Sequence, residues 1–431
     1  MTFRSKFLVV LFSAPLALYT LVGGLMYTQA QQQNDPGAQL RIFESVLQHI
    51  HDDYVDQPDL NKVRAGALRG LAYGLDPYST YLTIDQVRDF RANVDKSQFG
   101  IGAELSQVAS YLYVIAPIKG SPAEQAGLQA GDIIEYIDGK ATRDISLYDA
   151  RQLLNGAPGS EVKLRILRAG TRPFPLSIKR APYQTPAPEV KVETGKIGIV
   201  RVNSLSEGES VLVRTRVQEL LKQGAQKLVL DVRGVAGGSL NEAVRVANLF
   251  IRDGALAQTV GRSNKTLETL KAEPGNAIFD GPAVILIDRG TAGAAEVIAS
   301  AFIERKRGEV IGEKSFGAGA EQKLFTLRNG DGLLLTTVKW ASGGGKAFIG
   351  AGVAPSIEVK RPELAEAIDP DELTGNDDDP IAQPSPANGQ REVVPEQPTA
   401  PKPQPQDDVQ LKKALEILRG AKPAEAERKA A

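Results

Sequence analysis

The chain contains no cysteine, only two histidines and almost no net charge. The absence of cysteine excludes disulfides, a thiol nucleophile and thiolate metal sites, although it does not identify the compartment. His49 and His51 lie two positions apart in a predicted helix and therefore on different faces, which argues against a histidine-based triad or metal site. Because 51 Lys and Arg balance 52 Asp and Glu, no nucleic-acid partner is expected. No metal or other cofactor is expected either.

The N-terminus carries a predicted export signal over residues 1–30. Arg4 and Lys6 precede an uncharged stretch at 7–26, and Thr28, Gln29 and Ala30 follow with small residues suited to a signal peptidase. The stretch is also about as long as a membrane span requires. A cleaved signal peptide and a retained inner-membrane anchor both remain open. Either one predicts a periplasmic or cell-envelope location for the remaining chain.

The next region, residues 31–95, has a helical pattern. Apolar residues recur at helical spacing from Phe43 to Tyr54, which predicts a helix with one buried stripe. A second helix is predicted over Val63–Gly74. This block is too small and too helical to form the main core. We therefore expect a cap or dimerisation region, in a homo- or heterodimer.

A region of short strands and turns, assigned to residues 96–182, resembles a PDZ domain in the runs FGIGAEL and GLQAGD. A helix is predicted over Ser146–Leu154. In such a domain glycines leave backbone N–H groups free for a peptide carboxylate, and the following strand offers an edge for β-augmentation. The predicted peptide-binding residues are Phe99, Gly100, Ile101, Gly102 and Ala103.

Strands and helices alternate in residues 183–362. Ile197–Val202, Leu228–Val232 and Ala283–Ile287 read as buried strands, and a helix is predicted to begin near Gly293. Such alternation predicts an α/β core with a mostly parallel sheet. The turn before that helix is where an open α/β sheet presents a nucleophile. Here the turn consists of glycine and alanine.

The C-terminal part is predicted to be an acidic and proline-rich disordered linker over 363–408. Residues 409–431 contain a short amphipathic helix with Leu411, Ala414, Leu415 and Leu418 on one side. Such a helix is marginal alone and needs a partner surface. Its own protomer, a second protomer and another protein all remain open.

Several motifs in order resemble the carboxyl-terminal processing, or tail-specific, serine peptidases. They are LDPYSTYL, LDVRGVAGGSLNEAV, GTAGAAEV, GEKSFGAG and SGGGKAFIGAGVAPSI. The resemblance extends from about Leu40 to Val359. It implies a ClpP/crotonase-like core and a serine-type endopeptidase that cleaves through a Ser/Lys dyad.

The resemblance also implies that both members of the dyad are missing. The nucleophile position of the family falls on Gly293 and the base position on Ala318, whereas Gln322 matches a glutamine that the family keeps near the lysine. The oxyanion hole would be formed by Gly237, Gly238 and Ala294. Glycine and alanine can neither attack nor accept a proton, so a catalytically inactive member, or pseudopeptidase, is predicted.

Two hypotheses therefore follow from the sequence. The first is a protein that binds protein C-termini or unfolded polypeptides, or that regulates or scaffolds an active peptidase paralogue. The alternative is an active endopeptidase that processes C-termini through non-standard residues. Thr291 and Lys314 are the fallback candidates for that chemistry, ahead of Ser300 and Ser315.

Overall fold

The structure is a computed structural model that describes residues 36–93, 99–143, 145–361 and 407–420. The chain divides into two compact units, Met1–Leu68 and Arg69–Ala431. The predicted domain boundaries stay a prediction. Within the described ranges, no helix has both the length and the apolar character needed to cross a membrane. The predicted export segment lies outside them.

The first unit contains helix α1 (Pro36–Asp53) and the beginning of α2 (Leu60–Tyr73). Both predicted helices are present. The buried stripe expected on the first helix is wrong for the described chain, because its apolar residues are exposed, Val46 to 50%, apart from the half-buried Ile50. Helical periodicity shows that a helix has an apolar face but not that a surface covers it.

The second unit begins with the end of α2, which is followed by a short strand, a helix and a β-rich part. The elements up to the end of this part are β1 (Thr80–Leu82), α3 (Ile84–Asn93), β2 (Phe99–Gly100), β3 (Ala103–Val108), β4 (Tyr111–Pro117), α4 (Pro122–Gln125), β5 (Ile133–Ile137), β6 (Lys140–Ala141), α5 (Leu147–Leu154), β7 (Glu161–Leu167), β8 (Phe174–Lys179) and β9 (Ala181–Pro182). Strands β3, β4, β5, β7 and β8 form one antiparallel sheet in that order, with β6 on β5. Ser146 caps α5 by accepting the Asp149 N–H at 3.1 Å, so the helix predicted there is confirmed.

The α/β core supplies the remaining elements. They are β10 (Glu189–Glu193), β11 (Ile197–Arg201), α6 (Glu209–Lys222), β12 (Lys227–Asp231), α7 (Leu240–Asn248), β13 (Ala255–Val260), β14 (Thr266–Lys271), β15 (Ala283–Ile287), α8 (Ala294–Glu304), β16 (Val310–Gly312), β17 (Ala320–Thr326), β18 (Gly332–Ser342), β19 (Ile357–Glu358) and α9 (Val409–Arg419). The central sheet has the order β10-β11-β12-β15-β16-β19 and is parallel except for β10. The predicted mostly parallel core is confirmed.

A second, antiparallel sheet was not anticipated from the sequence. It has the order β1-β18-β13-β14, with β17 also paired to β18. Thr80 in β1 pairs with Leu334 in β18 across more than half the chain. Pairings of such separation leave no local pattern in the sequence. The strand β17 matters for function because it begins directly after the loop that contains Ala318.

The C-terminal helix α9 packs on the face of the central sheet opposite α6, α7 and α8. Its Ala414 and Leu418 are buried against Val229, Val284 and Ile311. Arg233 forms a bidentate ion pair with Asp408 at 2.8 Å. Of the partners left open by the sequence, the structure therefore shows the helix on its own protomer. The predicted linker lies almost wholly outside the described residues.

Candidate active site

The turn between β15 and α8 has the backbone geometry of a nucleophile turn. Gly293 lies at φ 58° and ψ −111°, a conformation that strains residues with a side chain and occurs where a nucleophile is presented at a strand-to-helix turn. A Cβ atom built on Gly293 would meet nothing closer than the Ala236 carbonyl oxygen at 3.6 Å and the Trp340 ring at 3.7 Å. The turn therefore has room for a side chain that the sequence does not supply.

One buried carboxylate joins this turn to the loop that contains Ala318. Oε2 of Glu296 accepts the N–H of Gly293 at 2.7 Å and that of Ala318 at 3.0 Å. Its Oε1 accepts the Gly317 N–H at 2.8 Å and the Ser315 hydroxyl at 2.5 Å. Because both dyad positions donate to the same oxygen atom, Glu296 holds them side by side.

Burial and hydrogen bonding act on Glu296 in opposite directions. Its side chain is fully buried, which penalises the charged form and raises its pKa to about 7. The four donated hydrogen bonds favour the carboxylate and oppose this rise. The sequence reasoning missed Glu296, although an acidic residue in the first turn of the apolar helix AAEVIASAF was a usable signal.

A cleft of about 190 Å³ collects most of the predicted site residues. It is lined by the two predicted dyad positions, Gly293 and Ala318, by Gln322, and by Gly237, Gly238 and Ala294. Its other lining residues are Tyr78, Glu104, Leu105, Ile115, Arg151, Ala236, Gly319, Ala320 and Trp340. Among all the described residues that line it, none is serine, threonine, cysteine, histidine or lysine. The cleft thus offers none of the usual nucleophiles or amine bases.

The residues predicted to form an oxyanion hole have free backbone N–H groups. The N–H of Ala294 opens helix α8 and has no acceptor within the helix. Neither it nor the N–H groups of Gly237 and Gly238 have a hydrogen-bond partner in the described ranges. Gly238 requires glycine, since it lies at φ 113° and a Cβ would come within 2.6 Å of the Leu205 carbonyl oxygen. The loop can therefore still offer N–H groups to a carbonyl or carboxylate oxygen.

The fallback residues lie outside this cleft. Thr291 is 0% exposed, and its hydroxyl bonds the Val232 carbonyl oxygen and the Asp288 carboxylate, both at 3.2 Å. Lys314 is exposed, whereas its neighbour Ser315 is buried. Ser300 is buried in α8 and donates to the Val297 carbonyl oxygen. The structure therefore brings none of these four residues together with the cleft.

The β-rich part contributes charged residues to the cleft that the sequence reasoning missed. Glu104 lies against the oxyanion loop, since a Cβ on Gly237 would be 2.9 Å from its Oε1. Arg151 on α5 lies 3.8 Å from the Glu104 carboxylate and donates to the Leu105 carbonyl oxygen at 3.3 Å. Nothing in the sequence pattern pointed to either residue.

The predicted peptide-binding loop connects β2 and β3. The carbonyl oxygen of Gly102 accepts the Ile118 N–H at 2.9 Å and the Ser121 hydroxyl at 2.7 Å. Strand β3 is an edge strand of its sheet, as β-augmentation requires. The binding role of the loop stays a prediction.

Comparison with known proteins adds independent information. The family model described as Peptidase family S41 matches residues 196–359, and a PDZ domain model matches residues 113–168. The chain is 34% identical to the carboxy-terminal processing protease CtpA of Bacillus subtilis (strain 168), over 74% of this chain and 68% of that protein. It is 30% identical to the carboxy-terminal-processing protease of Bartonella bacilliformis, over 89% of this chain and 88% of that protein. The solved photosystem II D1 C-terminal processing protease matches with a TM-score of 0.64 at 28% identity, over 74% of this chain and 86% of that one.

Proposed function

This chain belongs to peptidase family S41, in the branch of carboxyl-terminal processing peptidases that carry a PDZ domain, and we propose that it binds polypeptides without cleaving them. One observation carries the proposal. Of the described residues that line the cleft, those at the two predicted dyad positions are Gly293 and Ala318, and none of the others is a serine, threonine, cysteine, histidine or lysine. Loss of such groups lowers peptidase rates by several orders of magnitude.

The remaining parts of the site are suited to binding. The edge strand β3 can pair with an extended chain, and a PDZ groove recognises protein C-termini. The free N–H groups of Gly237, Gly238 and Ala294 can hold a carbonyl or a carboxylate oxygen next to the empty dyad positions. A polypeptide bound there would stay intact because neither the serine nor the lysine of the family's dyad is present to attack it.

The biological use of such binding is also a proposal. A protein of this kind can hold C-terminal tails or unfolded polypeptides, or it can regulate an active paralogue by forming mixed dimers. Export to the cell envelope, with the N-terminal segment either cleaved or retained as an anchor, would place it with exported peptidases. The PDZ domain and the kinship with processing peptidases support the choice of C-terminal tails as ligands.

Peptide binding can be measured by fluorescence polarisation of a fluorescein-labelled Gly/Ser peptide that ends in Ala-Ala. We expect the purified chain to bind it and to bind its C-terminal amide more weakly. Gly102→Val should abolish binding, since a Cβ there would meet the Ser121 Cβ at 2.3 Å. Gly139→Val is the matched control because Gly139 also has positive φ but nothing within 4 Å. Equal binding by both variants would contradict a PDZ groove as the binding site.

Cleavage is tested on unfolded β-casein together with a fluorophosphonate probe for reactive serines. We expect neither proteolysis nor labelling. Proteolysis that disappears in Thr291→Ala or Lys314→Ala would instead support an active peptidase that uses non-standard residues. Gln223→Ala, an exposed change distant in sequence from these loops, controls for a contaminating protease.

A further inference from the structure

A second cavity, of about 210 Å³, lies beside the loop that is predicted to form the oxyanion hole. Among the described residues that line it, only Glu104 is charged, and Glu104 also lines the cleft. Four side chains with a hydroxyl group line the cavity as well, those of Tyr183, Thr185, Ser204 and Ser206. Most of the other lining residues are apolar or glycine. The cavity therefore has one negative charge in its wall and no positive one.

The carboxylate of Glu104 is accessible and has few partners. Its side chain is 35% exposed. Within the ranges that the structure describes it accepts no hydrogen bond, and its one ion pair is with Arg151 at 3.8 Å. Arg151 is itself 46% exposed and donates to the Leu105 carbonyl oxygen. Exposed pairs at such a distance are weak, so the carboxylate can pair with a second cation.

Two tyrosine side chains respond to the charge of Glu104. Burial raises the pKa of Tyr183, which lines the cavity, and the Glu104 carboxylate raises it further. No cation of the described chain opposes that rise. Burial also raises the pKa of Tyr78, which lines the cleft, but there Arg151 opposes the effect of Glu104. The negative charge is thus partly balanced in the cleft and unbalanced in the cavity.

The loop that contains Gly237 connects the cavity with the proposed binding of polypeptides. Gly237 and Gly238 line both the cleft and the cavity. A Cβ atom on Gly237 would be 2.9 Å from Oε1 of Glu104, so the carboxylate lies directly against this loop. A polypeptide held by the N–H groups of the loop would therefore pass beside Glu104 and could place a side chain next to it.

A lysine or arginine side chain matches the lining of the cavity, because it has an apolar stem and a cationic end. The stem can pack against apolar residues such as Ile118 and Leu205, while the cationic end donates to the Glu104 carboxylate and the hydroxyl groups. We propose that the cavity is a pocket for a basic side chain of the bound polypeptide and that Glu104 selects this side chain. The inference rests on the proposed polypeptide-binding function and names a class of ligand for it.

The test compares lysine with norleucine, which has a similar shape but no charge. The probes are fluorescein-labelled Gly/Ser peptides that end in Ala-Ala, about twelve residues long so that they span roughly 40 Å when extended. Each peptide carries lysine or norleucine at one position, and binding to the wild-type chain is measured by fluorescence polarisation. We expect lysine to bind about 3- to 10-fold more tightly than norleucine at one position, as a single charged hydrogen bond provides.

The same peptides are then measured with variants of Glu104. In Glu104→Gln, which keeps the size of the side chain, the preference for lysine should fall below about 2-fold. In Glu104→Lys, a peptide with glutamate at that position should bind more tightly than the lysine peptide. Glu161→Gln is the matched control, because Glu161 is an exposed carboxylate on β7 of the same sheet and lines neither cavity. It should keep the full preference.

A further measurement needs no variant. The preference of the wild-type chain for lysine should shrink when the salt concentration is raised from about 0.05 M to about 1 M, because salt screens a partly exposed ion pair. A preference that salt does not change would contradict pairing with Glu104.

The outcomes separate the two proposals. A wild-type chain that binds the norleucine peptides but prefers lysine at no position overturns the basic pocket and leaves polypeptide binding standing. A preference for lysine that persists in Glu104→Gln overturns the pocket in the same way. A wild-type chain that binds none of the peptides overturns both proposals.

Discussion

Replacing Glu296 by glutamine tests whether one buried carboxylate holds the predicted dyad positions, Gly293 and Ala318, side by side. The change keeps the size of the side chain and removes its charge. Glutamine has only one acceptor atom, so its amide nitrogen must face one of the two donor pairs. We expect it to face Ser315 and Gly317, because the Ser315 hydroxyl can rotate to accept, whereas the opposite pair consists of two backbone N–H groups, those of Gly293 and Ala318.

The expected change in the free energy of unfolding follows from this orientation of the glutamine amide. One backbone donor, the Gly317 N–H, loses its partner, which costs about 1–3 kcal/mol. This estimate applies at low pH, where the carboxyl group of the wild-type protein is protonated and resembles the amide. We therefore expect Glu296→Gln to lower the free energy of unfolding by about 1–3 kcal/mol near pH 4.5.

The difference should change with pH because burial raises the pKa of Glu296 from 4.5 to about 7. The folded chain keeps this proton over a range where the unfolded chain has lost it, so the contribution is fully present below pH 4.5 and is lost as pH rises through about 7. At about 1.4 kcal/mol per pH unit the loss amounts to roughly 3 kcal/mol. Glutamine does not titrate, so the deficit of the variant should shrink by that amount towards pH 8.

Urea denaturation of both proteins between pH 4.5 and pH 8 measures these differences. Glu313→Gln is the matched control, since Glu313 is another buried carboxylate near the same loop. A deficit of Glu296→Gln that grows with pH would refute the reasoning. It would mean that the four donors outweigh burial and that the carboxylate, not the acid, is the favoured form in the fold.

Two further predictions concern the dyad positions and the C-terminal helix. Gly293→Ser combined with Ala318→Lys should give cleavage of unfolded β-casein, because the turn has room for a side chain and Glu296 holds both positions side by side. Each single variant should stay inactive. An inactive double variant would show that more than two side chains were lost. Asp408→Ala should release helix α9, because it removes both the bidentate pair with Arg233 and the hydrogen bond to the Leu411 N–H. Hydrogen exchange should then be faster in α9 by about 10-fold or more, corresponding to 1.4 kcal/mol or more, whereas Asp407→Ala, which removes an exposed ion pair, should leave it unchanged.

Much of the core was predictable because its elements have local signatures. The strand Ala283–Ile287 was predicted with the bounds that the structure has, and α8 begins one residue after the predicted position Gly293. A run of apolar residues and a helical period both depend only on residues close together in the sequence. They can therefore be recognised without knowing which other segments the strand or helix packs against. The export segment and the linker remain predictions.

The fate of the fallback residues could not be predicted in the same way. Thr291 was the best alternative nucleophile by its position in the sequence. In the structure, however, its hydroxyl is hydrogen-bonded to Val232 and Asp288, which directly follow the neighbouring strands β12 and β15. The opposite happened at α1. Its helical period was predicted correctly, but no part of the described chain buries its apolar face. The hydrogen bonding of Thr291 and the exposure of α1 both depend on residues that are close in space but distant in sequence. The sequence of a single segment does not contain this information.

The sequence by itself determined which side chains occupy the predicted dyad positions, because residue identity alone decides that Gly293 and Ala318 can neither attack a carbonyl group nor accept a proton. Only the tertiary structure showed that Glu296 joins both positions, that Glu104 and Arg151 enter the cleft, and that α9 covers its own sheet. The physical reason is that a side chain carries its reactive groups wherever it lies, whereas a binding site consists of distances between residues far apart in the chain.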